Sequence, residues 1–433
     1  MHEFSYRDGV LCCEGVALTD LADAHGTPLY VYSARTIRDH YRRLDGALSG
    51  LDHRVCFAMK ANSNLAVLDL LAREGAGFDI VSGGELFRVL KAGGRADACT
   101  FAGVGKTREE IVYALEQGVY SFNVESEPEL EFLNAVAGEL GRPAPVALRV
   151  NPDVDAQTHK YISTGKSHNK FGIGIDRILG VYAQAAKLPH LRIRGVQTHI
   201  GSQILETTPF VEALGKLVPI VRELKSLYGL EFFSIGGGVG IIYRGTLASG
   251  APDWWRRADG DGGRRIGFDD YARAVVPLLQ PLGLKILLEP GRSLVGNAGA
   301  LLATVLYVKT TPAKNFVITD AGMNDLIRPA LYEGHHEIVP LREPAADAPR
   351  GPVDVVGPVC ESGDFFAQDR ELPALVAGER IALLSAGAYG FVMASNYNSR
   401  RLPAEVLVDG ARAVVVRERQ SWDDLIAGER LAG

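Results

Sequence analysis

Between Arg54 and Leu288 the sequence alternates, eight times over, between a short apolar run and a longer stretch with helical periodicity. The apolar runs are RVCFAMK, FDIVS, ACTFAG, YSFNVES, PVALRVNP, IRGVQTHIG, FFSIGGG and KILLEPGR. Between them lie segments such as LAVLDLLAREGA and EPELEFLNAVAGEL, whose apolar residues recur at spacings of three and four, as on one face of a helix. Parallel strands need a long connection, so this alternation predicts a parallel sheet with helical crossovers. Eight units in about 235 residues match a (β/α)8 TIM-type barrel, whose usual size is roughly 250 residues. A doubly wound open sheet is the alternative. The barrel is expected over residues 28–288.

From Pro290 onward the texture changes. Short runs such as LLATVLYVKT, FVITDAG, ERIALLSAG and AEVLVDGARAVVV are separated by turn residues and carry little helical periodicity, which predicts a mainly antiparallel β domain. The opening FSYRDGVLCCEGVAL also reads as strand-turn-strand, so residues 1–27 are expected to join 289–433 in one discontinuous domain. Residues 244–265, rich in Gly, Asp and Arg, read as a surface loop that Trp254 and Trp255 could pack down.

Several classes of function are excluded. A net charge of −6 offers no basic footprint for nucleic acid. The longest apolar runs are too short to span a bilayer, and MHEFSYRDGV holds no signal-peptide core. The five cysteines are scattered without a C-x-x-C pair, which points to a reduced, cytoplasmic protein without a disulfide framework. His335-His336 lacks a patterned carboxylate or thiol, so no metal site is expected.

In such barrels chemistry sits where strands end. Those ends carry Lys60, Asp79, His199 with Ser202, Gly236-Gly237-Gly238, and Glu289 with Arg292. Taken alone, Lys60 reads as a lysine whose stem packs on apolar surface. At a barrel mouth, partial desolvation makes the amine a nucleophile toward carbonyls. A bare triple glycine is a flexible turn, yet after the seventh strand it stands where barrels hold phosphate. An amine and a phosphate cradle in one mouth point to pyridoxal 5′-phosphate, with Glu289 on the pyridine nitrogen. The simpler role for Glu289 is an ion pair with Arg292. In the β domain, Cys360 of GPVCESGD is either a proton donor or a small buried apolar residue. Arg328 and Tyr332, four apart in DAGMNDLIRPALY, make a fair carboxylate clamp, unless they are solvated loop polarity.

With these residues assembled, the chain resembles the diaminopimelate decarboxylases, of the barrel-type (fold type III) pyridoxal-phosphate enzymes. The likeness runs from about residue 4 to residue 420 through HGTPLYVYS, FAMKAN, FDIVSGGEL, NPDVDAQTHKYISTG, NKFGI, THIGSQI, IGGGVGI, LEPGRSLVGNAG, DAGMNDLIRPALY, GPVCESGD and GAYGFVMASNYNSRRLPAEVLVDG. It implies decarboxylation of meso-2,6-diaminopimelate at its D-centre, giving L-lysine. Lys60 would be the Schiff-base lysine. Ser202, Gly236 to Gly238 and Gly291 would hold the cofactor, with His199 on the ring face and Asp79 ordering the lysine. Arg292, Arg328 and Tyr332 would take the carboxylate that is retained, and Glu361 the distal ammonium. Cys360 would be the proton donor, and Tyr389 would touch cofactor and substrate. The same resemblance implies a homodimer with shared active sites, Cys360 and Glu361 coming from the neighbouring subunit. Two stretches depart from the family pattern: the long 244–265 insertion with its GIIY entry, and the middle of TGKSHNKFGI, in the 158–170 loop, whose action as a lid the sequence leaves open.

Competing readings are a sister decarboxylase of ornithine, lysine, arginine or carboxynorspermidine, an alanine racemase, and a non-catalytic homologue that binds a regulatory partner. The CESGD loop with Arg328 and Tyr332 disfavours the sister enzymes. Glu289 disfavours the racemase, which places an arginine there. Retention of Lys60 and Cys360 disfavours the non-catalytic homologue.

Overall fold

A computed structural model describes residues 2–155, 170–250 and 266–433. Trp254, Trp255 and most of the 244–265 insertion, and all but the end of the 158–170 loop, lie outside the described residues. The chain divides into two compact units: Arg38–Ile241 with Gly262–Leu294, and Met1–Ile37 with Ile242–Asp261 and Val295–Gly433.

The first unit is the expected barrel. Its strands are β1 (His53–Ala58), β2 (Gly77–Ile80), β3 (Cys99–Phe101), β4 (Ser121–Val124), β5 (Ala144–Asn151), β6 (Leu191–Gln197), β7 (Phe232–Ser234) and β8 (Lys285–Leu288). Each pairs in parallel with its neighbours, β8 returns to β1, and the β4–β5 pairing closes the cylinder, so the sheet is not open. A two-residue strand, Ile173–Gly174, pairs in parallel with Val150 and Asn151 at the end of β5. It is too short to leave a periodic signal in the sequence.

Local chemistry fixes the barrel's mouth. The helix Leu65–Arg73 starts on Asn64, whose side chain accepts the Ala66 N–H, and Ser82 does the same for Glu85 in Gly83–Lys91. Thr107 and Glu110 form a reciprocal capping box at the start of Arg108–Gln117. All three caps occupy βα loops, so side-chain oxygens satisfy helix ends just where the site residues emerge.

Inside the barrel, side chains change character within two residues. Cys56, Ala147, Phe232 and Leu287 form a buried apolar cluster. Gly195 and Gly77 leave the room: a Cβ on Gly195 would lie 2.6 Å from the Phe232 ring, and one on Gly77 2.9 Å from Cys56 Sγ. Two residues further along the same strands come Asp79, Arg149, Gln197 and Ser234, with Glu289 just beyond β8, all buried. Strand alternation returns residue i+2 to the same face, so a polar layer sits directly on the apolar one.

The second unit is built on the twelve-residue strand Gly299–Thr310, which pairs antiparallel with Leu29–Ser33, Asn315–Thr319 and Arg380–Leu383. Two neighbouring pairs are parallel, Asn315–Thr319 with Arg350–Val356 and Leu29–Ser33 with Ala404–Asp409; the others in this sheet are antiparallel. Leu29 and Val31 face one apolar core while Tyr30 and Tyr32 face another, so the sheet is covered on both sides. The N-terminal strands Phe4–Arg7, Val10–Cys13 and Val16–Ala17 form their own antiparallel sheet, which contributes Phe4, Leu11 and Cys13 to the first of these cores.

Lys106, behind β3, tests how the mouth is held. Its buried Nζ donates to the Gly103 and Asn123 carbonyls at 2.8 and 2.9 Å and to Glu129 Oε1 at 2.7 Å. Lys106→Met strands the Glu129 carboxylate without its cation, and the expected loss is about 3 to 5 kcal/mol. Urea denaturation measures it; a loss below about 1 kcal/mol contradicts this role.

Candidate active site

Lys60 lies in the one-turn helix Met59–Ala61 that follows β1. Its Nζ stands 3.4 Å from Asp79 Oδ2 on β2, with the lysine side chain partly exposed and Asp79 almost fully enclosed. Burial raises the Asp79 pKa and the Lys60 ammonium opposes that rise. Gly291 lets the chain after β8 press on this turn, since a Cβ there would lie 3.1 Å from the Ala58 carbonyl oxygen and 3.0 Å from the Ala61 methyl.

Glu289 sits deepest. Its Oε1 accepts from Ser234 Oγ at 2.6 Å and from Asn123 Nδ2 at 3.4 Å, and its Oε2 from Gln197 Nε2 at 2.9 Å. Three different strands therefore aim donors at one carboxylate. Burial first, then the Asp79 carboxylate, push its pKa up to about 7.

The glycines after β7 are required by close backbone approach. A Cβ on Gly236 would lie 2.4 Å from the Thr198 carbonyl oxygen, on Gly237 2.1 Å from that of Glu289, and on Gly238 2.5 Å from that of Gly201. Gly236 and Gly238 also adopt positive φ, +69° and +113°. The Gly236 carbonyl accepts the Glu289 N–H at 2.8 Å. The Gly237 N–H donates to His199 Nδ1 at 3.2 Å, so that nitrogen carries a lone pair. Burial, Arg149 and Lys60 hold His199 well below the usual histidine pKa, and the imidazole is neutral. Ser202 Oγ accepts from Arg292 Nη2 at 3.2 Å.

The barrel thus brings Lys60, Asp79, His199, Ser202, Gly236 to Gly238, Glu289, Gly291 and Arg292 into one connected set. It adds residues that reading strand ends passed over: Asn123, Gln197 and Ser234 around Glu289, and the buried pair of Arg149 with Glu125 at 2.9 Å. Inward alternation, counted back two residues from each strand end, is the signal that finds Gln197 and Arg149.

The other predicted residues belong to the second unit. Arg328 and Tyr332 begin and end a short helix, Arg328–Tyr332, which places them one turn apart. Arg328 is buried and Tyr332 half-buried. Cys360 and Glu361 are exposed, and the Cys360 N–H donates to Asn398 Oδ1 at 2.9 Å. The thiol is therefore not the small buried cysteine of the simpler reading. Asp364 ties this loop to the one before Arg328, accepting the Met323 and Val359 N–H groups at 2.6 Å each. Tyr389 is half-buried at φ +55°, between glycines whose added Cβ atoms would lie 2.0 Å (Gly387) and 2.4 Å (Gly390) from backbone oxygens.

The barrel residues suit pyridoxal 5′-phosphate on chemical grounds. They offer an amine, a glycine cradle lined by backbone, a buried carboxylate, and orphaned buried oxygens on Asp79, Asn123 and Gln197. Residues 34–296 match the pyridoxal-binding domain of the pyridoxal-dependent decarboxylases. The diaminopimelate decarboxylase of Pseudomonas aeruginosa is 53% identical over 100% of this chain and 99% of its own. The Helicobacter pylori diaminopimelate decarboxylase, solved with L-lysine, superposes with a TM-score of 0.86 at 41% identity, over 95% of this chain and 98% of that one. The M. jannaschii diaminopimelate decarboxylase, also solved with L-lysine, gives 0.89 at 36%, over 100% and 99%.

The chain belongs to the diaminopimelate decarboxylase family.

It is accordingly a pyridoxal-phosphate-dependent carboxy-lyase. Among the described residues no helix is long and apolar enough to cross a membrane.

Glu289 makes the site's electrostatics measurable. Its carboxyl binds its proton more tightly in the folded protein than in the unfolded chain, so its ionisation opposes folding. That contribution lowers the stability of the cofactor-free protein as pH rises from about 4.5 to about 7. Glu289→Gln removes it, so the Tm of the variant relative to wild type rises with pH across this window. Parallel pH profiles for the two proteins contradict it.

Proposed function

We propose that this enzyme releases carbon dioxide from the D-centre of meso-2,6-diaminopimelate and yields L-lysine, as the last step of lysine biosynthesis. One observation carries the reading. Diaminopimelate decarboxylases match the chain end to end, at 53% identity in the P. aeruginosa case. The L-lysine bound in the H. pylori and M. jannaschii enzymes is the product this reading requires.

Bound pyridoxal 5′-phosphate supplies an aldehyde that the Lys60 amine holds covalently and a ring that takes up the electron pair left by departing carbon dioxide. Asp79 keeps a negative charge beside that amine. Glu289, enclosed and held by Ser234 and Gln197, would offer its carboxylate to the pyridine nitrogen. Gly236 to Gly238, Ser202 and Gly291 would hold the phosphate end, and neutral His199 would face the ring. Arg292, Arg328 and Tyr332 hold the carboxylate that the product keeps, Glu361 pairs with the distal ammonium, and Tyr389 contacts cofactor and substrate. When the carbon–carbon bond to the leaving carboxylate breaks, Cys360 delivers a proton to the vacated carbon.

In this reading the barrel unit, Arg38–Ile241 with Gly262–Leu294, is the cofactor domain, and the other unit carries the recognition loops. The chain works as a homodimer in which Cys360 and Glu361 serve the neighbouring subunit. Their exposure in the single chain supports that arrangement. The five free cysteines support a reducing, cytoplasmic setting.

The test is carbon dioxide release by the cofactor-loaded protein, with meso-diaminopimelate, ornithine, lysine and arginine offered separately. Release from meso-diaminopimelate alone, with L-lysine formed, is expected; release from ornithine or arginine instead overturns the substrate. Cys360→Ala is expected to keep its cofactor and lose at least about a hundred-fold in kcat, in line with general acid catalysis. Full turnover removes Cys360 as proton donor.

A further inference from the structure

The hydrogen bonds of His336 determine its tautomer. The side chain is fully buried. Nδ1 lies 2.8 Å from the Leu384 carbonyl oxygen, which can only accept, so Nδ1 carries the proton. Nε2 is then a lone pair, and it receives an N–H of Arg328 Nη1 at 2.7 Å. The Arg328 guanidinium carbon lies 4.4 Å from the centroid of the Tyr243 ring. That ring in turn meets the His336 imidazole edge-on, at 5.5 Å and 78°. The backbone supports the same triangle. Glu333 turns through φ +52°, the Gly334 N–H returns to the Arg328 carbonyl at 3.1 Å, and Arg370 Nη1 donates to the His336 carbonyl at 2.9 Å.

A guanidinium is a flat fork whose use in binding a carboxylate depends on its plane and on its rotation within that plane. The Tyr243 face sets the plane, and the Nε2 acceptor sets the rotation. Neither contact cancels the charge, because a neutral imidazole accepts the N–H without the neutralisation that a carboxylate partner would bring.

We infer that His336 and Tyr243 are positioning residues that fix the Arg328 fork for the carboxylate the product retains, and so help to determine which amino acids the enzyme accepts. This rests on the function proposed above. Neither residue touches the reacting atoms; both act through Arg328.

The experiment uses the cofactor-loaded enzyme and compares His336→Leu, which removes the acceptor, with His336→Gln, which restores one. A second pair compares Tyr243→Leu with Tyr243→Phe, which keeps the aromatic face. Each is measured for kcat and KM with meso-diaminopimelate, for inhibition by L-lysine and by cadaverine, which lacks the carboxylate, and for cofactor content. Losing a charge-assisted hydrogen bond is worth about ten- to a hundred-fold in binding. His336→Leu is expected to raise KM and the L-lysine inhibition constant by about that factor, and Tyr243→Leu by about three- to thirty-fold, the worth of a cation–π contact. Cadaverine inhibition and cofactor content should stay as in wild type, kcat should change little, and the Gln and Phe variants should recover most of the loss. Unchanged KM in the leucine variants, a loss confined to kcat, or equal weakening toward L-lysine and cadaverine overturns the inference. Should a leucine variant fail to fold, wild-type behaviour in the other leucine variant overturns it as well. Wild-type enzyme that neither turns over meso-diaminopimelate nor binds L-lysine overturns the proposed function, and the inference with it; wild-type enzyme that does both, beside variants that match it, overturns the inference alone.

Discussion

A carboxylate enclosed in a barrel is the constraint around which the cofactor site is arranged. Moving an ionisable group out of water is costly unless hydrogen bonds and charges replace the lost solvent. Here Ser234, Gln197 and Asn123 approach Glu289 from β7, β6 and β4, and only a closed sheet can converge those strands on one point. The Gly236–Gly238 turn then lies so close to the backbone at Thr198, Gly201 and Glu289 that glycine is the residue that fits. The nearby Asp79 carboxylate raises the Glu289 pKa further, while the Lys60 ammonium opposes that rise. A cationic ring nitrogen would relieve Glu289 of part of that penalty.

The second unit meets a different requirement. The side chains proposed for recognition sit on loops and on the short helix Arg328–Tyr332, and such segments position groups well only when something stiffens them. Asp364 binds the Cys360 loop to the Met323 loop through two short hydrogen bonds to backbone N–H groups. His336 and Tyr243 do the corresponding work for Arg328. The long strand Gly299–Thr310 carries the sheet to which these loops are anchored, and apolar cores on both of its faces hold it in register.

The eight barrel strands were legible because each is a short apolar run and helical segments of clear period separate them. Lys60, Asp79, His199 and Glu289 stood out for the same reason. Gln197 and Ser234 did not, because inside the strand they look like ordinary polar interruptions, and their importance arises only when the sheet closes. Leu29–Ser33 illustrates a second limit. LYVYS is apolar on both faces, and nothing within it reveals that its partners are Gly299–Thr310 and Ala404–Asp409, hundreds of residues away. The link between His336 and Arg328 was hidden differently: eight residues apart, the two meet only because the chain turns back at Glu333 and Gly334.

In the proposed function the barrel's polar layer serves an amine at Lys60 that binds the cofactor covalently. Borohydride reduction of the cofactor-loaded protein, followed by digestion and peptide mass spectrometry, tests it most directly. The reduced pyridoxyl group is expected on the peptide containing Lys60. Attachment to another lysine, such as Lys106, or no covalent attachment at all, would contradict it.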